Sequence, residues 1–252
     1  MRPGEIAPLE LPVDESYDLI VLFYQVWFLA PSQPVAAFLL SDEGARLLRN
    51  KPVVTVVACR NMWMMAHDRV RARLTEIGAR HLDNVVLTDR APTLATLLTT
   101  PLWLLTGRRK PVPGLPPAGV AEDDIRRSIR FGRALRDALL DDREQGTAPL
   151  LAGLGAVEAR PELLVSERAG SRSFRVWGTL LHRAGRPGAW QRLPLLALYL
   201  IFLVVIILTV VPVPLALQAF LRPFLRRRLD AVKASYEQPS GSGLERLAHY
   251  DF

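Results

Sequence analysis

One run of 29 residues without a charge, residues 193–221, constrains this 252-residue chain more than any other feature. It reads LPLLALYLIFLVVIILTVVPVPLALQAFL, and residues 193–211 alone approach the roughly 20 apolar residues that a membrane helix needs. Apolar side chains occupy every face of a helix drawn through it, which leaves no polar side for water. We therefore predict a membrane-embedded segment rather than a buried core helix.

Two prolines, Pro212 and Pro214, complicate the geometry of this run. Proline removes a backbone donor and breaks or kinks a helix, so we expect the helix to be interrupted near Val211. Two shapes stay open: one kinked span, or a re-entrant hairpin with both ends on one side. Arginines flank both ends, so the positive-inside rule does not orient a single span.

The positive charge of the chain is concentrated beside the apolar run. Segments 168–192 and 222–233 hold 11 of the 32 basic residues and only 1 of the 25 acidic ones. The remainder is mildly acidic, which disfavours nucleic-acid binding by the main domain. Basic flanks on both sides suit the anionic cytoplasmic leaflet. We expect a membrane-lipid partner, with the main domain on the cytoplasmic side.

Cysteine and histidine usage argues against two classes of site. A single cysteine in the chain excludes a disulfide framework and a four-cysteine zinc site. The four histidines are far apart and form no HxxxH or HExxH pair, so no metal site is predicted. The catalytic residues cannot be read from any motif.

The region before the membrane run has the pattern of a parallel sheet. Three short, continuously apolar segments, 17–24, 53–59 and 84–88, read as strands buried on both faces. Helical patterns at 34–48, 66–79 and 122–140 alternate with them. In the last, Ile125, Ile129, Gly132, Leu135 and Leu139 share one face, and Gly78 marks the end of the second. This order predicts a doubly wound α/β domain.

Ligands of such sheets bind outside the carboxyl ends of the strands. The loops after the first two strands carry large apolar side chains at that edge, which suggests a flat apolar ligand. The alternative for each of these side chains is packing against a neighbouring helix. Cys59 is interpreted as a small core residue rather than a nucleophile. The predicted ligand-binding residues are Gln25, Val26, Trp27, Phe28, Cys59, Arg60, Asn61 and Met62.

The chain resembles the flavodoxin-like flavoproteins, including the NADPH-dependent FMN reductases, and is most similar there to the dialkylresorcinol condensing enzymes of aryl-lipid biosynthesis. The resemblance covers nearly the whole chain. The segments that carry it are YQVWFLAPS (24–32), CRNMW (59–63), DNVVLTD (83–89), TTPLWLLTGRR (99–109), GLPPAGV (114–120) and the tail 173–221 that begins SFRVWG.

This resemblance implies an FMN-dependent oxidoreductase, with NADPH as a possible second cofactor, that aromatises a cyclohexanedione-type ring to a resorcinol beside a ketosynthase partner. It also implies that the first strand of this chain corresponds to strand three of the order 2-1-3-4-5. The strand and Ser/Gly-rich loop that hold the FMN phosphate would then be missing. We therefore expect an N-terminally incomplete domain that binds FMN weakly.

The resulting organisation has five parts. A linker remnant at 1–16 precedes a partial flavodoxin-like domain at 17–148, a basic connector at 149–192, the membrane segment at 193–221, and a basic then polar, flexible tail at 222–252. The function predicted best is a membrane-associated flavoenzyme acting on an aryl-lipid substrate. A non-catalytic membrane scaffold for a ketosynthase is the alternative, and a transporter component is disfavoured because one apolar run cannot form a path.

Overall fold

The computed structural model describes residues 6–9, 16–110, 112–209 and 212–250. The predicted linker at 1–16 therefore lies largely outside the described residues. The remainder forms an α/β fold around one sheet of order β2-β1-β3-β4. Its strands are β1 (Ile20–Trp27), β2 (Ala30–Pro31), β3 (Pro52–Cys59) and β4 (Arg80–Thr88).

The three long strands are parallel, as the sequence predicted, and the two-residue β2 pairs antiparallel with the end of β1. Central β3 is buried over most of its length, which explains why all its side chains except that of Thr55 are apolar. The expectation of burial on both faces is wrong for β1. Its side chains alternate between buried and exposed, and Phe23 is 67% exposed on the uncovered face.

The helices between the strands fall close to the predicted positions. The predicted helix at 34–48 is two helices, α1 (Gln33–Leu40) and α2 (Asp42–Leu48), because Ser41 between them is extended and caps α2. Helix α3 (Met64–Ile77) ends at Gly78, whose φ of 83° is the left-handed conformation that favours glycine.

After β4 the chain forms α4 (Thr93–Thr106), α5 (Glu122–Arg127) and α6 (Ile129–Leu140). The apolar face predicted for 122–140 is wrong, since Ile125, Ile129 and Leu139 are exposed. The helix is interrupted at Ser128, where the hydroxyl donates to the Ile125 carbonyl oxygen. The buried side chains of α6 are instead those of Phe131, Ala134 and Ala138, which lie on a different face of the helix.

The C-terminal half is helical. Its elements are the 3-10 turns Arg143–Gln145, Pro161–Leu163 and Trp190–Arg192, and helices α7 (Leu164–Arg183), α8 (Leu193–Thr209), α9 (Pro212–Glu237) and α10 (Leu247–Tyr250). The predicted interruption near Val211 falls at residues 210–211, which lie outside the described residues. No helix in the described part of the chain is long and apolar enough to cross a membrane, which differs from the kinked span that the sequence left open.

Helix α8 is attached to α7 by aromatic side chains. The Trp177 ring lies 5.1 Å from that of Phe202 and 5.2 Å from that of Tyr199, measured between centroids. Tyr199 is buried by this contact, whereas a row of α8 side chains stays exposed. Those exposed side chains are Leu193, Leu196, Leu198, Leu200, Ile201 and Val204.

The segment after Ser235, expected to be a flexible tail, packs against the sheet in this structure. Helix α9 continues to Glu237, and Ser240 is buried beside β4. The N–H of Gly155 donates to the Gly243 carbonyl, and the N–H of Arg246 donates to the Gly153 carbonyl. Through these backbone hydrogen bonds, the C-terminal segment adds irregular structure on the β4 side of the sheet.

Candidate functional site

The two loops predicted to bind a ligand lie side by side at the carboxyl edge of the sheet. The register of β1 and β3 pairs Gln25 with Ala58, which places Val26 and Trp27 next to Cys59 and Arg60. This adjacency follows from parallel pairing, because both strands end at the same edge.

The first loop presents its aromatic rings to solvent. Trp27 is 46% exposed and Phe28 is 60% exposed, so neither ring is a core residue, although Phe28 contacts Phe174 of α7. The Trp27 indole N–H donates to Gln25 Oε1 at 3.1 Å. The chain reverses between β1 and β2 through Phe28 and Leu29, with φ of 51° and 59°. Positive φ at such large residues stores strain, a frequent property of functional loops.

The second loop is more enclosed. The Arg60 guanidinium donates to Thr96 Oγ1 of α4 at 2.9 Å from Nε and 2.6 Å from Nη2. Met62 packs against the core, and Asn61 is half-buried. Burial, and then the charge of Glu167, raise the pKa of the Cys59 thiol to about 12, so this thiol stays protonated.

A residue that the sequence did not single out, Glu167 of α7, is the most perturbed acid at this edge. It is fully buried, and its Oε2 accepts the Met65 N–H at 2.8 Å while Oε1 has no partner. Its carboxylate thereby caps the N-terminus of α3, where the side chain of Trp63 provides no cap. Burial raises the pKa of Glu167 to about 7, even though backbone donors oppose the shift.

A cavity of about 580 Å³ opens on the side of the β1–β2 turn that faces α7. Phe28 and Phe174 form part of its wall, with ring centroids 5.3 Å apart in an edge-to-face contact. Gly170 allows the turn to approach α7, because a Cβ there would lie 2.8 Å from Leu29 Cδ1. The basic side chains of the wall are Arg69, Arg175, His182 and Arg192.

The fold and this edge define an α/β protein with a mostly parallel sheet, exposed aromatic side chains at its carboxyl end and a basic cavity beside them. No known family model, curated protein or solved structure matches the chain. Among the described residues no group of three or more histidine, cysteine, aspartate or glutamate side chains could hold a metal ion.

Proposed function

We propose that this protein is a membrane-associated, flavodoxin-like oxidoreductase that acts on an aryl-lipid substrate, in the manner that its resemblance to the dialkylresorcinol condensing enzymes implies. In this proposal β1, β3 and β4 correspond to strands three, four and five of the flavodoxin order. The observation that carries it is the exposed apolar face of α8, which lies on basic α7 beside the carboxyl edge. An apolar substrate could reach that edge from a lipid surface.

Membrane association is supported by chemistry and position together. The exposed leucine, isoleucine and valine side chains of α8 would cost free energy in water and gain it in lipid, at about 25 cal/mol per Å². Arginines of α7 and of the turn before α8 would meet anionic head groups, each adding about 1 kcal/mol. A helix lying in the plane of the cytoplasmic leaflet satisfies both interactions.

We expect the paired substitution Leu200→Asp and Ile201→Asp to weaken binding to vesicles of phosphatidylcholine and phosphatidylglycerol by at least about tenfold. Each native side chain is exposed on α8, and burying one such side chain in lipid is worth about 1.5–3 kcal/mol. Co-flotation with vesicles measures the effect. The matched control is Leu139→Asp with Leu140→Asp, an adjacent exposed pair on α6. Equal losses of vesicle binding from both pairs would show that α8 is not the membrane-binding surface.

The chemistry proposed at the carboxyl edge is loss of two hydrogens from a cyclohexanedione-type ring, which gives a resorcinol. A bound flavin would accept the two hydrogens, and NADP+, the oxidised form of the second candidate cofactor, would reoxidise the reduced flavin. The exposed ring of Trp27 fits contact with a flat isoalloxazine. The N-terminus of α3 does not fit the FMN phosphate, because Glu167 already occupies its N–H groups.

Trp27→Ala should weaken binding of riboflavin, which presents the ring without the phosphate, by several-fold to tenfold. The reason is loss of an aromatic contact worth about 0.5–1.5 kcal/mol. Fluorescence quenching of riboflavin measures the affinity, and melting temperature should change little because Trp27 is partly exposed. Phe23→Ala, on the same face of β1 but distant from its carboxyl end, is the matched control. Undetectable riboflavin binding, or an equal loss from Phe23→Ala, would contradict the flavin proposal.

A second candidate function is a membrane scaffold that holds a ketosynthase. The uncovered face of β1, with Phe23 and Val21 exposed, favours it as a surface for a protein partner. The riboflavin experiment distinguishes the two candidate functions. A scaffold would bind vesicles but would bind no riboflavin, whereas the oxidoreductase would bind both.

A further inference from the structure

The cavity beside α7 has the size of a small-molecule site and is built from several elements. Its wall includes residues of the β1–β2 turn, α3, α7 and the turn Trp190–Arg192 that leads directly into α8. At about 580 Å³ it lies within the range of about 300–1,000 Å³ that is usual for ligand pockets.

The wall carries positive charge that the described residues do not neutralise. Arg69, Arg175 and Arg192 come from three different elements, and no carboxylate joins them in the wall. None of the three forms an ion pair within the described part of the chain. Arg69 donates to Ser171 Oγ at 2.8 Å, whereas the Nε of Arg192 is buried without a partner. Burial and the nearby charge of Arg175 lower the pKa of Arg69, as expected for two cations held close together.

A buried guanidinium nitrogen without a partner is costly, and an anion in the cavity would remove that cost. Arginine is the side chain best suited to phosphate, because its planar fork donates several hydrogen bonds in fixed directions. The lining also contains apolar side chains, those of Phe28, Phe174 and Pro187. The cavity therefore suits a ligand with an anionic end and an apolar end.

The position of the cavity indicates where such a ligand would come from. Arg192 is followed at once by α8, whose first exposed side chains are Leu193 and Leu196. Phe174 in the wall also lies against Tyr199 of α8, with ring centroids 6.3 Å apart. The basic wall thus adjoins the apolar helix face, as the head group of a lipid adjoins its chains.

We propose that this cavity binds the anionic head group of a phospholipid, with the phosphate against the three arginines and the first methylene groups against Phe28 and Phe174. The site is separate from the oxidoreductase chemistry proposed above and does not depend on it. It would fix the orientation of the protein on an anionic membrane.

The test uses the full chain and dihexanoyl phosphatidylglycerol below its micelle concentration, so that diffuse attraction to a surface does not contribute. Isothermal titration calorimetry should detect binding. Dihexanoyl phosphatidylcholine should bind at least about tenfold more weakly, since no carboxylate in the wall faces its choline. Inorganic phosphate should also bind at least about tenfold more weakly, because it makes no apolar contact.

Two variants remove the site in different ways. Arg175→Gln removes a charge-assisted hydrogen bond and should weaken phosphatidylglycerol binding by about tenfold or more. Gly178→Leu keeps the charge but fills the cavity, since a Cβ at Gly178 meets nothing within 4 Å, and should abolish binding. Arg172→Gln, an exposed arginine of α7 outside the wall, is the control and should change the affinity by no more than about twofold.

Four results would overturn the proposal. These are no binding of phosphatidylglycerol, an equal loss from Arg172→Gln, unchanged binding by Gly178→Leu, and inorganic phosphate binding as tightly as the lipid. The last would assign the cavity to a soluble phosphate instead. Failure of riboflavin binding leaves this proposal intact, so the two proposals are tested separately.

Discussion

Asp83→Ala should lower the free energy of unfolding by roughly 3–5 kcal/mol. The carboxylate is fully buried in β4 and accepts three hydrogen bonds. The N–H of Leu150 donates to it at 2.7 Å, the N–H of Leu151 at 3.1 Å and the hydroxyl of Ser240 at 2.7 Å. Alanine would leave these donors buried without an acceptor, and each such donor costs about 1–3 kcal/mol.

Urea denaturation followed by circular dichroism measures this loss. Asp83→Asn should lie between wild type and alanine, because its carbonyl keeps one acceptor while its amide nitrogen opposes the remaining donors. Ser240→Ala should cost about 1–3 kcal/mol, since its hydroxyl also accepts the Asn84 N–H at 2.7 Å. An Asp83→Ala loss no greater than that of an exposed acid such as Asp123→Ala would show that the network contributes nothing.

Glu167→Gln should change how stability depends on pH, by about 3 kcal/mol between pH 4.5 and 8. Folding raises the pKa of Glu167 from 4.5 to about 7, so the folded state holds this proton more tightly than the unfolded state. Its contribution to stability is therefore fully present below pH 4.5 and is lost as pH rises through about 7. Glutamine cannot lose a proton, so the variant should not show this loss.

Other buried groups determine the shape of the wild-type curve. Asp83 acts in the same direction as Glu167, since burial raises its pKa to about 6. His67 and His81 act oppositely, because burial lowers their pKa values to about 3 and about 4. Their neutral forms favour folding above about pH 6.5, and this contribution is lost as pH falls. The wild-type curve should thus be shallow between about pH 4.5 and 6.5, whereas the Glu167→Gln curve should rise there.

Thermal unfolding at a series of pH values distinguishes these curves. The control is Glu158→Gln, which removes an exposed carboxyl close to the start of α7. Parallel curves for wild type and Glu167→Gln would show that the buried carboxyl does not hold its proton near neutrality.

The strands could be predicted from sequence because each signal was local. The apolar run at 53–59, interrupted only by Thr55, predicts β3 because burial on both faces favours apolar side chains at successive positions. Gly78 predicts the end of α3 because the left-handed backbone there is unfavourable for other residues. The exposed face of β1 could not be predicted, since exposure depends on which elements cover a strand and not on the strand's own residues.

The parts of the site that sequence analysis missed depend on contacts between residues that are far apart in the chain. Glu167 caps a helix that begins about a hundred residues earlier in the chain, and no local pattern marks that role. Arg175 and Arg192 were interpreted only as charges flanking the apolar run. The structure places them in a cavity wall with Arg69 of α3, which no spacing rule connects to them. In α6 the predicted apolar face was assigned to the wrong side of the helix, because the buried side chains are those of Phe131, Ala134 and Ala138.

The packing of Ser240 against β4 has a consequence for how the chain is made. The hydroxyl that binds Asp83 belongs to a residue 157 positions later, so β4 leaves the ribosome long before its partner exists. Loop closure over such a distance is slow, and nascent chains emerge at about 5–20 residues per second. The apolar side chains of α8 are therefore synthesised, and can meet a membrane, before the buried aspartate gains its last hydrogen bond. In the membrane-associated form proposed above, attachment to lipid would precede completion of the fold.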